Sequence, residues 1–143
     1  MVNTDKNFDE KKAKEELEKG YEPAKKLLND QDEMEKFLQR LERKVKLIPI
    51  AGNKLSKVPV LASLLRNYYK KQYTEIPMGS LIAVTSALLY FVSPFDFIPD
   101  IAPLIGFFDD AAVIAVCWKF VESDINEYEK WREDNGLVQN IET

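Results

Sequence analysis

The sequence predicts an all-α protein, a single domain of about five or six helices. Its first third is rich in Lys, Glu, Leu and Ala, which favour helices, and lacks the strict alternation of apolar and polar residues that marks a half-buried strand. Further along, apolar residues recur every three or four positions, and the residues from 76 to 95 carry no charge. With 143 residues, 45% of them hydrophobic, the chain has enough apolar material for one core.

Two short helices are predicted in the N-terminal part. The first covers about residues 9–19 and is ended by Gly20. Pro23 suits the first turn of the second helix, because the backbone N–H groups of a first turn have no partner within the helix. We expect the second helix to end near Asn29.

A third helix has the clearest amphipathic pattern. Asp30 and Glu33 have capping-box spacing, in which the aspartate accepts a hydrogen bond from a free N–H group and the glutamate reaches back. The apolar residues behind them recur at helical spacing: Met34, Phe37, Leu38, Leu41, Val45 and Ile48. This stripe either packs on the core of the domain or pairs with a partner helix in a coiled coil.

A connector, residues 49–59, contains Pro49, Gly52 and Pro59 and precedes a fourth helix that starts at Val60. One face of this helix is apolar and carries tyrosines: Leu61, Leu64, Leu65, Tyr68 and Tyr69. Basic residues lie on its other face. This pattern is typical of a helix lying on an anionic membrane surface, and equally of an ordinary surface helix.

The uncharged stretch of residues 76–95 is about as long as a membrane-crossing helix. Pro77 and Pro94 limit it to about sixteen residues of continuous helix, and its hydroxyl groups dilute its hydrophobicity. A helix that is apolar on all sides is either the central helix of a bundle or a membrane segment.

A second apolar run, residues 111–118, is too short to cross a bilayer. Apolar residues continue on the same helical face towards Tyr128. We therefore expect an apolar hairpin of residues 77–92 and 110–130, surrounded by the other helices or inserted wholly or partly into a membrane.

Composition excludes several functional classes. The chain contains no histidine, so neither a Ser-His-Asp nor a Cys-His catalytic site can form within it. Its one cysteine allows no internal disulfide and no thiolate cluster, which indicates a reducing compartment. The net charge of -4 argues against a protein that coats nucleic acid, and we expect no nucleic-acid partner.

Charge is distributed unevenly along the chain. Residues 1–46 are neutral overall, residues 47–75 carry +4, residues 76–121 carry -3 and the tail from residue 122 carries -5. The cations of the second segment form a basic collar, our candidate for contact with anionic lipid: Lys54, Lys57, Arg66, Lys70 and Lys71. The first residues have no apolar stretch like that of a signal peptide, so secretion is not expected.

An aspartate-rich segment, residues 93–110, separates the two apolar helices, and we call it the aspartate corner. Ser93 and Pro94 fit the N-cap and first position of a short helix, and Asp96 fits near its positive dipole end. Asp109 or Asp110 can cap the long final helix in the same way. In this interpretation each aspartate is a cap or a turn residue.

The alternative interpretation is a functional carboxylate site. Four aspartates converge as oxygen ligands for Mg²⁺ or Ca²⁺, or as a proton-exchanging set: Asp96, Asp100, Asp109 and Asp110. Ionised carboxylates among Phe and Ile side chains are costly to bury unless their negative charge is compensated. Helix N–H groups, a bound cation, or Lys70 and Lys71 are three possible sources of this compensation. The spacing is not that of an EF-hand loop, and we predict no other cofactor and no catalytic residue.

The aspartate corner and the apolar helix before it resemble the signature of the YkvA-like family, the DUF1232 domain of unknown function. The elements S-P-x-D-x-I-P-D and G-x-x-D-D are intact and in order, within a resemblance that covers roughly residues 61–121. The matching positions are Ser93, Pro94, Asp96, Pro99, Asp100, Gly106, Asp109 and Asp110. The resemblance implies a bacterial or plant protein, often described as a membrane protein, with no established activity, cofactor or catalytic residue.

We divide the chain into an amphipathic helical region (1–50), a DUF1232-like core (51–125) and an acidic tail (126–143). The leading hypothesis is a non-enzymatic, membrane-associated domain on the cytoplasmic side, whose basic collar faces lipid headgroups. The alternative is a soluble cytoplasmic helical bundle that binds a protein partner. A third hypothesis is a divalent-metal site built from the aspartates.

Overall fold

The computed structural model describes residues 2–47, 57–92 and 110–136. Within these ranges the chain forms six helices and no strand, which confirms the predicted all-α class. The helices are α1 (Val2–Lys19), α2 (Tyr21–Leu28), α3 (Gln31–Leu47), α4 (Val58–Tyr69), α5 (Met78–Val92) and α6 (Asp110–Asp134). Buried residues of all six helices form one hydrophobic cluster.

The N-terminal helices follow the sequence pattern closely. Helix α1 starts earlier than predicted, at Val2, since no Pro or Gly precedes Gly20 to interrupt it. Helix α2 ends before Asn29, as expected. At the start of α3 the carboxylate of Asp30 accepts a hydrogen bond of 3.1 Å from the backbone N–H of Glu33, which is the predicted cap.

The stripe on α3 packs on the core of this domain. Met34, Phe37 and Leu41 are buried, and Leu38 and Val45 pack against the cluster, whereas Ile48 lies outside the described residues. Of the two predictions for this stripe, packing within the domain is therefore the one observed.

Helix α4 starts at Val58, two residues before the predicted position. Pro59 therefore lies inside the first turn, where its missing N–H group leaves no broken hydrogen bond, and does not end the connector. The predicted apolar face is observed, because Leu61, Leu64 and Leu65 are buried.

Helix α5 is the centre of the molecule. It spans fifteen residues, close to the length that its flanking prolines predicted, and eleven of them are buried. It contacts all five other helices. Helices α1, α2 and α3 of the N-terminal region pack directly on α5. The predicted division of the chain at residue 50 stays a prediction.

Helices α5 and α6 run antiparallel. Near the start of α5, the hydroxyl of Ser80 donates a hydrogen bond to Asp124, and further along α5 the carbonyl of Ala83 accepts one of 3.5 Å from the thiol of Cys117. Residues 93–109, which join these helices, lie outside the described residues. The apolar hairpin therefore stays a prediction.

Contacts along the other helices fix their directions. Helix α4 runs parallel to α6, since Lys57 contacts Trp118 and Asn67 contacts Tyr128. Helix α3 runs antiparallel to α4, since the Tyr69 hydroxyl donates to the carbonyl of Gln31 at the start of α3. Helices α3 and α5 therefore end, and α4 and α6 begin, at the same end of the bundle, which we call the corner end. We call the opposite end the far end.

Gly20 lies where α5 closely approaches the turn between α1 and α2. The hydroxyl of Ser86 on α5 donates a hydrogen bond of 2.5 Å to the carbonyl of Leu17 on α1. A Cβ atom added to Gly20 would collide with Ser86 Oγ and lie 3.3 Å from Ser86 Cβ. The backbone of Gly20 is right-handed helical, so contact with Ser86, and not backbone conformation, excludes a side chain here.

We predict that Gly20→Ala lowers the free energy of unfolding by about 1–3 kcal/mol, because it overpacks the contact with Ser86. Ser86→Ala should cost about 1 kcal/mol through its lost hydrogen bond. In the double variant the collision with the Ser86 hydroxyl oxygen is absent and only the 3.3 Å approach to the Cβ atom remains, so urea unfolding should show a smaller loss than the sum of both single losses. Strict additivity would contradict the proposed contact.

A second prediction concerns Cys117, which is fully buried. Burial raises the pKa of its thiol from 9.0 to about 12. As the pH rises, the thiol therefore loses its proton at a lower pH in the unfolded chain than in the folded chain. The contribution of the neutral thiol to the free energy of unfolding is complete below pH 9 and is lost as the pH rises towards 12. When the pH is raised from 8 to 10.5, the free energy of unfolding should fall by about 2 kcal/mol less in Cys117→Ala than in the unaltered chain. Equal losses in urea titrations at the two pH values would refute this.

Candidate functional site

The corner end carries a lysine that caps α5. Lys44, in the last turns of α3, donates a hydrogen bond of 2.5 Å from its Nζ to the carbonyl of Phe91. The same Nζ lies 4.9 Å from the centroid of the Phe91 ring. Carbonyl groups in the last turn of a helix have no partner within it and carry partial negative charge. Lys44 supplies a hydrogen-bond donor and a positive charge at the end of α5, which carries no charged residue of its own.

A second lysine and a tryptophan meet at the start of α4. Lys57 Nζ lies 4.1 Å above the ring centroid of Trp118 on α6, a distance typical of a cation–π contact. Lys57 is exposed and Trp118 is half-buried. This pair therefore presents a charge and an aromatic surface together at the edge of the molecule.

The basic collar does not occupy one position on the bundle. Lys54 lies outside the described residues, and Lys57 lies at the corner end. Arg66 lies 3.9 Å from the carboxylate of Glu42 on α3. Lys70 and Lys71 are exposed and follow α4 at the far end, about 18 Å along the helix from Lys57.

Lys71 has an unusual backbone conformation. Its φ is 62°, in the left-handed region that favours glycine, and it ends α4. The N–H of Gln72 donates a hydrogen bond of 2.9 Å to the carbonyl of Asn67, which closes the end of the helix. The position of Lys71 is thus explained by helix termination.

Most residues of the aspartate corner lie outside the described residues. They are Ser93, Pro94, Asp96, Pro99, Asp100, Gly106 and Asp109. Asp110 is the first residue of α6, so Asp109 directly precedes this helix in the chain. The capping and ion-binding hypotheses for these aspartates both stay predictions.

The far end contains an aromatic cluster. The ring centroids of Tyr73, Tyr128 and Trp131 lie between 5.0 and 5.9 Å apart. Tyr128 is completely buried, and its hydroxyl accepts a hydrogen bond of 2.7 Å from the side-chain amide of Asn67 and shares another with Ser63. Burial raises the pKa of Tyr128, so its hydroxyl stays neutral at ordinary pH. This cluster joins α6 to α4 and is structural.

Two large apolar side chains are exposed. Phe120 on α6 is 62% exposed and Met78 at the start of α5 is 54% exposed. Next to Phe120, Lys119 forms an ion pair with Glu10 of α1. Single exposed apolar residues are common on protein surfaces, and neither defines a site alone.

Neither a membrane-crossing helix nor a metal-binding cluster is found in the part of the chain that the structure describes. Over residues 2–47, 57–92 and 110–136, no helix combines the length and apolar character needed to cross a membrane. Over the same residues, no group of three or more acidic or cysteine side chains is arranged to hold a metal ion.

Two contacts at the corner end were not predicted from the sequence. They are the hydrogen bond from Lys44 to Phe91 and the cation–π contact of Lys57 with Trp118. A lysine in the last turn of a helix is too common to mark a site, because it also suits the dipole of its own helix. The one available signal is that α5 ends without a basic residue of its own. That absence implies that a neighbouring helix supplies the charge, without showing which one.

For the aspartate corner we predict that Asp109→Ala or Asp110→Ala lowers the free energy of unfolding by about 1 kcal/mol, because α6 begins at this point. Asp134→Ala, at the other end of α6, is the control, since an acidic group there opposes the helix dipole and its loss should cost nothing.

Thermal melting with Mg²⁺ or Ca²⁺ separates capping from ion binding. A bound ion raises the melting temperature by mass action, and the raised midpoint should disappear in the Asp109 and Asp110 variants. No shift at millimolar metal would leave capping alone. Full stability of both alanine variants would contradict either role.

Part of the chain is similar to known proteins. A family model for DUF1232, described as a protein of unknown function, matches residues 80–116. Over 69 residues the chain is 39% identical to a Bacillus subtilis (strain 168) protein named "Uncharacterized membrane protein YkvA". That alignment covers 48% of this chain and 65% of the relative, so the chain spans less than two thirds of the relative's length. No solved structure matches the chain significantly.

The matched residues run from α5 through the aspartate corner into the first turns of α6. They begin at Ser80, which contacts α6, and they include Phe91, which Lys44 caps. The aromatic cluster at the far end lies outside the match. The similarity to DUF1232, a family of unknown function, therefore covers most of α5, the aspartate corner and the start of α6.

Proposed function

We propose that this chain is a non-enzymatic domain that binds the surface of a membrane on the cytoplasmic side while α5 stays inside the helical bundle. The observation that carries the proposal is the identity with a relative named a membrane protein, together with a DUF1232 match over residues 80–116. Lys57 and Trp118 at that end combine a cation with an aromatic ring, as residues at a membrane–water boundary commonly do.

Surface binding suits the burial of α5 better than insertion does. Leu89, Tyr90 and Phe91, successive residues that lie about 100° apart around α5, are all almost completely buried by protein. Moving α5 into lipid would expose the apolar faces of α3, α4 and α6, which now cover it. Binding through side chains at the edge of the bundle needs no such rearrangement.

The burial of α5 also supports a second candidate function, a soluble module that binds a protein partner. A bundle that already encloses its most apolar helix is complete without lipid, as expected of a soluble module that binds a protein partner. The two candidates differ in one measurable property, which is affinity for a bilayer.

The test is sedimentation of the purified chain with vesicles of phosphatidylcholine alone and of phosphatidylcholine with phosphatidylglycerol. We expect binding to the anionic vesicles that weakens with added salt, because the proposed contacts are charged and exposed. In cells, high-salt or carbonate washes should release the chain from membranes. A chain that stays in the supernatant with both vesicle types, and in the soluble fraction of cells, would establish the second candidate instead.

A further inference from the structure

We infer that the corner end is the surface that docks on anionic lipid headgroups and that the far end points away from the bilayer. This inference rests on the proposed function and adds an orientation and a lipid class to it. It is carried by the distribution of charge along the bundle and by the positions of the two tryptophans.

The charge of α3 changes sign between its two ends. Its last turns, at the corner end, carry four basic residues against one acidic residue: Arg40, Arg43, Lys44, Lys46 and Glu42. Its first turns, at the far end, carry three acidic residues against one basic residue: Asp32, Glu33, Glu35 and Lys36. The helix therefore presents a net positive charge at the corner end and a net negative charge at the far end.

Helix α6 is neutral in the half towards the corner end and acidic in the other half. Its first twelve residues carry Asp110 and Lys119, and Lys119 pairs with Glu10 of α1. The half of α6 towards the far end carries six acidic residues against two basic residues: Glu122, Asp124, Glu127, Glu129, Glu133, Asp134, Lys130 and Arg132. An anionic surface would therefore repel this end of α6.

The cations at the end of α4 do not cancel this polarity. Lys70 and Lys71 lie at the far end, but Glu75 follows them and the acidic residues of α6 outnumber them. Arg66 lies beside Glu42, and its charge is partly compensated there. Summed over the described residues of α3, α4 and α6 with Lys57 and the loop after α4, the far end stays negative and the corner end, with Asp110 counted, stays positive. Asp96, Asp100 and Asp109 lie outside the described residues and do not enter this sum.

The two tryptophans lie near opposite ends. Trp118 lies beneath Lys57 towards the corner end, whereas Trp131 packs on Tyr73 and Tyr128 at the far end. They are thirteen residues apart on one helix, which corresponds to about 20 Å. Because the chain contains two tryptophans in all, each can be observed separately in a variant that lacks the other.

The first test uses Trp131→Phe, which leaves Trp118, and Trp118→Phe, which leaves Trp131. Each variant is bound to phosphatidylglycerol vesicles that contain a lipid with a nitroxide on its headgroup, and the loss of fluorescence is measured. We expect a larger fractional loss for Trp118 than for Trp131. Equal losses, or a larger loss for Trp131, would overturn the orientation.

The second test compares two matched lysines on α3. Lys46 and Lys36 are similarly exposed, at 73% and 71%, and each pairs with a glutamate one turn earlier, at 3.4 and 3.8 Å. Lys46→Glu, at the corner end, should weaken binding to the anionic vesicles at least about fivefold. Lys36→Glu, at the far end, makes the same charge change and should leave binding nearly unchanged.

These outcomes distinguish the inference from the function on which it rests. If Lys36→Glu weakens vesicle binding as much as Lys46→Glu does, the membrane function stands and the proposed orientation is overturned. Absence of binding by the unaltered chain to either vesicle type would overturn both. Circular dichroism of each variant shows whether a loss of binding comes from unfolding.

Discussion

The enclosure of α5 is the constraint on which the rest of the structure depends. Its side chains are apolar in every direction, so no single neighbour can cover it, and the remaining helices pack around it. Each covering helix then needs only one apolar face. The stripe of α3 and the leucine face of α4 are such faces.

The few polar groups of α5 determine which helix lies on which side. Thr85 hydrogen-bonds within α5, to the carbonyl of Leu81 at 2.8 Å, so it needs no neighbour. Ser86 and Ser80 bond outward, to α1 and α6 respectively. A buried polar group without a partner costs more than one hydrogen bond gains, so these contacts exclude other arrangements of the neighbours. Specificity of packing therefore comes from the serines, while stability comes from the apolar residues.

Local features were predictable from the sequence, and contacts between distant residues were not. The length of α5 follows from its flanking prolines, and the start of α3 follows from Asp30, because each depends on residues nearby in the chain. The contact of Lys44 with Phe91 joins residues 47 positions apart, and periodicity gives no information about such a pair. For the same reason the basic collar looked like one patch in sequence, although α4 separates Lys57 from Lys70.

Membrane association and a largely covered α5 are compatible, because the proposed lipid contacts lie on other parts of the molecule. The hydropathy of a segment measures how strongly it avoids water, and such a segment can be shielded from water either by lipid or by surrounding protein. In this bundle, protein covers eleven of the fifteen residues of α5, so most of its apolar surface is used in packing. In the proposed function, affinity for a bilayer comes from exposed side chains, whose charges differ between the two ends of α3. Under that proposal, electrostatics supplies both the attraction to an anionic surface and the direction from which the bundle approaches it.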